Sequence, residues 1–195
     1  MSRAVFLDRD GVINATVWNA DEGILDTPYQ LDQFTLLPGV AQAIERCHQM
    51  GFLVVVVSNQ PGVAKGKCTP EFLEDVKALM NARLGAENAT LDGVYYCIHH
   101  PEAKVADLRC DCDCRKPKPG LLLEASRQLD IDLRNSWMIG DQERDVLAGA
   151  AAGCRTCLVG QSPFAATVAN LQAVDLVEAV DKLAAIENRD RAATW

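Results

Sequence analysis

From Phe52 to Val57 the chain reads Phe-Leu-Val-Val-Val-Val, without a polar residue. A strand wetted on one side alternates apolar with polar, whereas an unbroken β-branched run fits a strand buried on both faces, as in parallel sheets covered by helices. Parallel neighbours need crossovers long enough for a helix. The sequence supplies both parts. Further strand-like runs lie at Ala4–Leu7, Gly93–Tyr96, Ser136–Ile139 and Thr156–Val159. Between them, Pro38-Gly39 precedes a helix that carries Val40, Ile44 and Cys47 on one face and ends near Gly51. Thr69 and Pro70 start a second, with Phe72, Val76, Leu79 and Met80 at helical spacing, and Pro119 opens a third through about Leu129. Arg144 to Ala152 and a short terminal stretch from about Glu178 to Glu187 are the last two. The expected fold is α/β, a doubly wound parallel sheet with right-handed crossovers, helices on both faces and no large cap domain. At 195 residues the chain fits one domain spanning 1–195, burying roughly 70% of its unfolded surface. Two long stretches, Asn14 to Leu37 and Ile98 to Lys118, break the rhythm, and loops of that length are usually functional.

Lys plus Arg total 19 against 27 Asp plus Glu, a net charge of −8, which argues against nucleic acid or an anionic membrane as partner. An anionic small molecule would then need a bound cation and a few placed basic side chains, for which Arg9, Lys65, Arg115, Lys116 and Lys118 are candidates. Met1 leads directly into a strand without a charged-then-apolar leader, and no apolar run is long enough to span a bilayer, so a cytoplasmic location is expected.

The chemistry gathers at strand ends. Asp8 and Asp10 flank Arg9 where the first strand runs into Gly11; at that spacing one carboxylate can attack while the other handles a proton, with a divalent cation offsetting their charges. Val57 runs into Ser58-Asn59-Gln60, whose hydroxyl and backbone N–H groups suit phosphate oxygens. Lys116 closes the second long loop and can neutralise charge between a carboxylate and a phosphoryl group. Ile139 runs into Gly140-Asp141, with Asp145 one helical turn on, offering oxygens to a hard cation such as Mg²⁺. Taken singly, each has an ordinary explanation as turn former, helix cap or solvated charge. Together they converge on one edge of a parallel sheet.

Four of the 8 cysteines lie between Cys97 and Cys114. Cys97-Ile98-His99 and Cys112-Asp113-Cys114 make two close pairs across a loop, a Cys₃His set suited to tetrahedral, structural Zn²⁺ in a zinc-binding loop at about 97–114. A reducing compartment disfavours disulfides. Cys110 is either a spare thiol or a replacement for one of the two cysteines after it. Such a site would hold Arg115 and Lys116 in place.

This ordered set resembles the haloacid dehalogenase superfamily over nearly the whole chain. The resemblance implies that Asp8 is the nucleophile and forms a phosphoaspartyl enzyme, that Asp10 is the general acid and base, and that Ser58 and Lys116 orient and neutralise the phosphoryl group. It also implies Mg²⁺ held by Asp8, the backbone carbonyl of Asp10, and Asp141. With the zinc loop and Arg115-Lys116-Pro117-Lys118-Pro119-Gly120, the likeness narrows to the zinc-containing phosphatases that act on heptose bisphosphates and histidinol phosphate. The long spacing from His100 to Asp111 favours the heptose branch, hence a phosphorylated sugar as small-molecule partner. Substrate contacts are expected from Asn59, Gln60, Arg115, Asp26, Tyr29 and Gln142, while Trp18 and Tyr29 either cover the sugar or do the more ordinary job of packing the long loop. Gln142 stands where such relatives often carry lysine, and Lys65 where arginine is common. A phosphosugar-binding scaffold without activity is the alternative of another class.

Overall fold

In the computed structural model, residues 1–20, 22–160 and 168–192 are described. Strand β1, Arg3–Leu7, lies at the centre of the sheet and sends Val5 and Leu7 into one core, Ala4 and Phe6 into the other. A hairpin follows, β2 (Val17–Asn19) antiparallel to β3 (Ile24–Asp26), before helix α1 (Val40–Gln49). The all-apolar run forms β4 (Phe52–Asn59), with Val54 and Val56 buried on one face and Val55 and Val57 on the other. Then come α2 (Pro70–Ala86), β5 (Gly93–Cys97), α3 (Gly120–Leu129), β6 (Trp137–Gly140), α4 (Glu143–Ala152) and β7 (Arg155–Val159). Strand β8 (Leu171–Ala173) and α5 (Leu176–Ala192) end the described chain.

The six-stranded sheet is parallel throughout, in the order β5-β4-β1-β6-β7-β8. Helices α1, α2 and α5 cover the Val5 and Leu7 face, and α3 and α4 the opposite one. The doubly wound α/β architecture is therefore the expected one. Because β4 and β6 flank β1, the connections diverge there and open a crevice at the carboxyl ends of these three strands, where such sheets bind ligands.

Three features depart from expectation. The stretch Asn14 to Leu37 carries the β2–β3 hairpin, whose exposed Trp18, Ile24 and Leu25 lack the alternation that marks a half-buried strand. Strand β8 adds a sixth strand of three residues at the sheet edge. Helix α5 starts before Glu178 and runs past Glu187. Among the described residues no helix is long and apolar enough to cross a membrane.

Candidate active site

The sheet holds Asp8 at the end of β1, where its backbone N–H still donates to the Ile139 carbonyl of β6 at 3.0 Å. The chain then turns at Gly11, with φ at 85°. A Cβ there would lie 2.5 Å from Oδ2 of Asp141, so glycine permits the turn and lets the exits of β1 and β6 approach each other. Carboxylate oxygens of Asp8, Asp141 and Asp145 come within 4.8 Å of one another.

Lys116 reaches this group from the loop before α3. Its buried ammonium lies 3.1 Å from Asp8 and 2.6 Å from Asp145, and donates to the Val57 carbonyl at 2.8 Å. Asn59 pins the lysine's backbone: its side-chain amide donates to the Lys116 carbonyl and accepts from the Lys116 N–H, both at 3.0 Å. On Asp8, burial opposes ionisation, yet the Lys116 charge, the Ser58 hydroxyl and the Arg9 N–H at 2.7 Å outweigh it and hold this carboxyl below its ordinary range. Burial pushes Asp141 up to about 6, helped by the negative charges of Asp8 and Asp145. Burial likewise raises Asp145, against the pull of Lys116. Oδ1 of Asp141 is buried without a hydrogen-bond partner. Hard carboxylate oxygens, one of them unsatisfied, fit a small divalent cation.

Asp10 occupies a separate network. Its carboxylate accepts from the Arg9 guanidinium at 3.0 Å, from Asn14 Nδ2 at 2.9 Å, from the Thr27 hydroxyl at 3.1 Å and from Gln60 Nε2 at 2.7 Å. Gln60 also donates to Ser58 at 3.1 Å and accepts from Arg9 at 3.0 Å. It is thus a buried link between Asp10 and Ser58 and does not line the open cleft, contrary to its expected substrate contact. Arg9 is corrected in the same way. Fully buried, with its guanidinium 5.5 Å from the Tyr96 ring centre, it serves Asp10, Thr27 and Gln60 and does not line the cleft.

Beside these carboxylates opens a cleft of about 320 Å³. Asp10, Asp141, Asn59 and Gln142 line it, with Asp26, Ile24 and Leu25 of the hairpin forming a wall. Gln142 donates to Asp141 at 2.9 Å and its backbone N–H to Asp145 at 3.0 Å, which caps α4. Asp26 is held by Lys67 at 2.9 Å and by the Tyr29 hydroxyl at 3.2 Å. Tyr29 and Trp18 line an adjoining hollow of about 220 Å³ that shares Asp26 and Thr27 with the cleft, and Tyr29 positions Asp26. Three basic side chains reach the cleft: Lys65, Arg115 and Arg144. Arg144 went unnoticed in the sequence because it reads as an ordinary residue of the first turn of a helix. Lys118, by contrast, is bound to Asp111 at 2.9 Å, away from the cleft.

Behind Arg115, the Cys97 and Cys112 sulfurs are 3.5 Å apart, Cys97 and Cys114 3.1 Å, and Cys112 and Cys114 3.2 Å. His99 Nδ1 lies 3.4 Å from Cys114 and 4.0 Å from Cys97. Disulfides need about 2.05 Å. Four ligands about 2.3 Å from a tetrahedral zinc stand roughly 3.8 Å apart, close to this spacing. Burial raises Cys97, and burial with the two neighbouring thiols raises Cys114, whereas hydrogen bonds from the Cys114 and Cys97 thiols outweigh burial and hold Cys112 below its ordinary range; a cation would favour the thiolate at all three. Cys110 is exposed and outside the four-residue group. The donor set therefore fits zinc, and Arg115 donates to the His99 carbonyl at 3.4 Å from within that loop.

The HAD-hydrolase-like family matches residues 113–185. The D-glycero-β-D-manno-heptose-1,7-bisphosphate 7-phosphatase of Escherichia coli strain K12 is 43% identical over 153 residues, covering 78% of this chain and 76% of its own. The protein of the same name from Yersinia pestis is 37% identical over 174 residues, covering 89% of this chain and 88% of its own. Among solved structures, the D,D-heptose 1,7-bisphosphate phosphatase of B. bronchiseptica, complexed with magnesium and phosphate, superimposes with a TM-score of 0.75 at 30% identity, covering 93% of this chain and 97% of that one. A putative HAD-like phosphatase from Mesorhizobium loti gives a TM-score of 0.79 at 34% identity, covering 96% of this chain and 87% of that one.

Proposed function

The chain belongs to the haloacid dehalogenase-like hydrolases, among relatives named heptose 1,7-bisphosphate 7-phosphatases, and from that premise we propose that it hydrolyses the 7-phosphate of D-glycero-D-manno-heptose 1,7-bisphosphate. The observation that carries the reading is the buried Asp8 carboxylate, held ionised by Lys116 at the end of the central strand and bordered by a cleft with basic side chains.

In this reading Asp8 attacks phosphorus, forming the phosphoaspartyl bond while the bond to the sugar oxygen breaks. Asp10 gives that oxygen a proton, then takes one from the water that cleaves the aspartyl phosphate and frees inorganic phosphate. The Asn14, Thr27, Gln60 and Arg9 contacts fix the Asp10 carboxylate for both transfers. Lys116 and Ser58 steady the phosphoryl oxygens, and Asn59 acts by holding Lys116. Mg²⁺ would be held by Asp8, Asp141 and the Asp10 carbonyl, where it neutralises charge on the carboxylates and the transferring group. Zn²⁺ would be held by Cys97, His99, Cys112 and Cys114 in a closed structural site that sets the position of Arg115 and Lys116. Asp26 and Gln142, both on the cleft, are the proposed sugar contacts, and Arg115 faces phosphate oxygens, which its fork suits.

The test is phosphate release by purified protein with Mg²⁺ from heptose 1,7-bisphosphate, histidinol phosphate and simple sugar phosphates. The bisphosphate is expected to be the best substrate by kcat/KM. Turnover of histidinol phosphate alone would refute the substrate, and binding without any turnover would favour a scaffold.

A further inference from the structure

The cleft holds more positive charge than phosphoryl transfer uses. Lys116 already serves Asp8, and it is wholly buried. Lys65, Arg115 and Arg144 line the open cleft beyond it, in a chain with net charge −8. Each carboxylate that shares the cleft has other contacts: Asp10 has Arg9, Asp26 has Lys67, and Asp141 faces Asp8. Among the described residues, neither Lys65 nor Arg144 has a side-chain hydrogen bond or ion pair, and Arg115 has only the His99 carbonyl at 3.4 Å. Basic side chains that share a cleft without a direct ion pair of their own are relieved by an anion between them.

We infer that Arg144, with Lys65 and Arg115, binds the phosphate that is not cleaved, and that Arg144 is the residue by which this chain prefers a bisphosphate to a monophosphate. The inference rests on the bisphosphatase reading above. Residue 142, one step after Asp141, is a neutral glutamine engaged with Asp141, so on α4 the charge facing the cleft comes from Arg144. A guanidinium offers a planar pair of donors to a phosphate dianion, and its exposure on the first turn of α4 leaves it free to swing onto the ligand.

The experiment compares kcat/KM for heptose 1,7-bisphosphate and for the same heptose carrying only the 7-phosphate, in wild type, Arg144→Met and Arg144→Lys. The expected result is a bisphosphate preference in wild type that falls about tenfold or more in Arg144→Met, chiefly through KM for the bisphosphate, with partial retention in Arg144→Lys. Product inhibition by the heptose 1-phosphate weakens in parallel. An unchanged preference in Arg144→Met, or an equal loss on both substrates, overturns the role of Arg144 while leaving the phosphatase reading intact. Wild-type protein that hydrolyses neither compound refutes the phosphatase reading itself, and with it this inference.

Discussion

Lys116 Nζ stands 2.6 Å from Asp145 Oδ1, and both side chains are wholly removed from water. The same ammonium contacts Asp8 at 3.1 Å, so one buried cation divides its charge between the proposed nucleophile and a fixed carboxylate. Burial disfavours the charge on Lys116, but Asp145 and Asp8 together keep it above its ordinary range and hence protonated. In the proposed mechanism Asp145 is thereby a positioning residue, which would keep Lys116 charged while Asp8 is esterified.

Replacing Lys116 with Met should therefore do two separable things. Loss of charge stabilisation at the phosphoryl group lowers kcat by about 10²- to 10³-fold. The stranded Asp145 carboxylate costs about 3 kcal/mol of stability. The double variant Lys116→Met, Asp145→Asn should regain much of the melting temperature and none of the activity. Steady-state kinetics and thermal melts on both variants check this.

Gly11 tests the close approach of β1 and β6. An alanine there meets a left-handed backbone and a contact 2.5 Å from Asp141 Oδ2. Gly11→Ala should lose about 1–2 kcal/mol of stability from the backbone alone. Displacement of Asp141 should also raise the Mg²⁺ concentration needed for half-maximal activity at least tenfold. A magnesium titration of wild type and variant reads the effect.

The cysteine group predicts close to one zinc per chain by elemental analysis. Cys112→Ser should release that zinc and lower the melting temperature. It should also reduce kcat, because Arg115 and Lys116 leave the same loop. Cys110→Ser, at an exposed thiol outside the group, should retain both metal and activity.

How much of this could be read from residues alone differed by element. The five long strands and their helices announce themselves because burial on both faces demands continuous apolar runs such as Val54 to Val57. Strand β8 and the hairpin do not, since three-residue edge or exposed strands need neither a run nor an alternation. That Asp8, Asp10, Ser58 and Asp141 gather at one edge of the sheet was legible, because strand ends are where this architecture exposes side chains. Side-chain direction was not. Nothing in Asp8-Arg9-Asp10 says that Arg9 turns inward to Tyr96, in Ser58-Asn59-Gln60 that Gln60 is buried, or in Glu143-Arg144-Asp145 that one neighbour is buried beside Lys116 and the other faces the cleft.

Away from the site, Glu187 of α5 links the central strand β1 to β7 through ion pairs to Arg3 and to Arg155, the latter at 2.6 Å. Burial opposes its charge, but the two guanidiniums prevail and hold it below its ordinary 4.5. A group depressed on folding stabilises fully above its unfolded value and loses that contribution as pH falls through its folded one. Glu187→Gln should cost about 2 kcal/mol at neutral pH. The deficit should shrink as pH falls below 4.5, because wild type then loses the same interaction. Denaturant unfolding of both proteins at pH 7 and across the acid limb measures it.

The central claim is that Asp8 itself carries the phosphoryl group. Acid quench of the enzyme during turnover of heptose 1,7-bisphosphate, followed by peptide mass spectrometry, locates it directly. The account predicts phosphate on the peptide containing Asp8 in wild type, and in Asp8→Asn a folded protein with no label and no phosphate release. Label on another residue, or sustained turnover by Asp8→Asn, would contradict it.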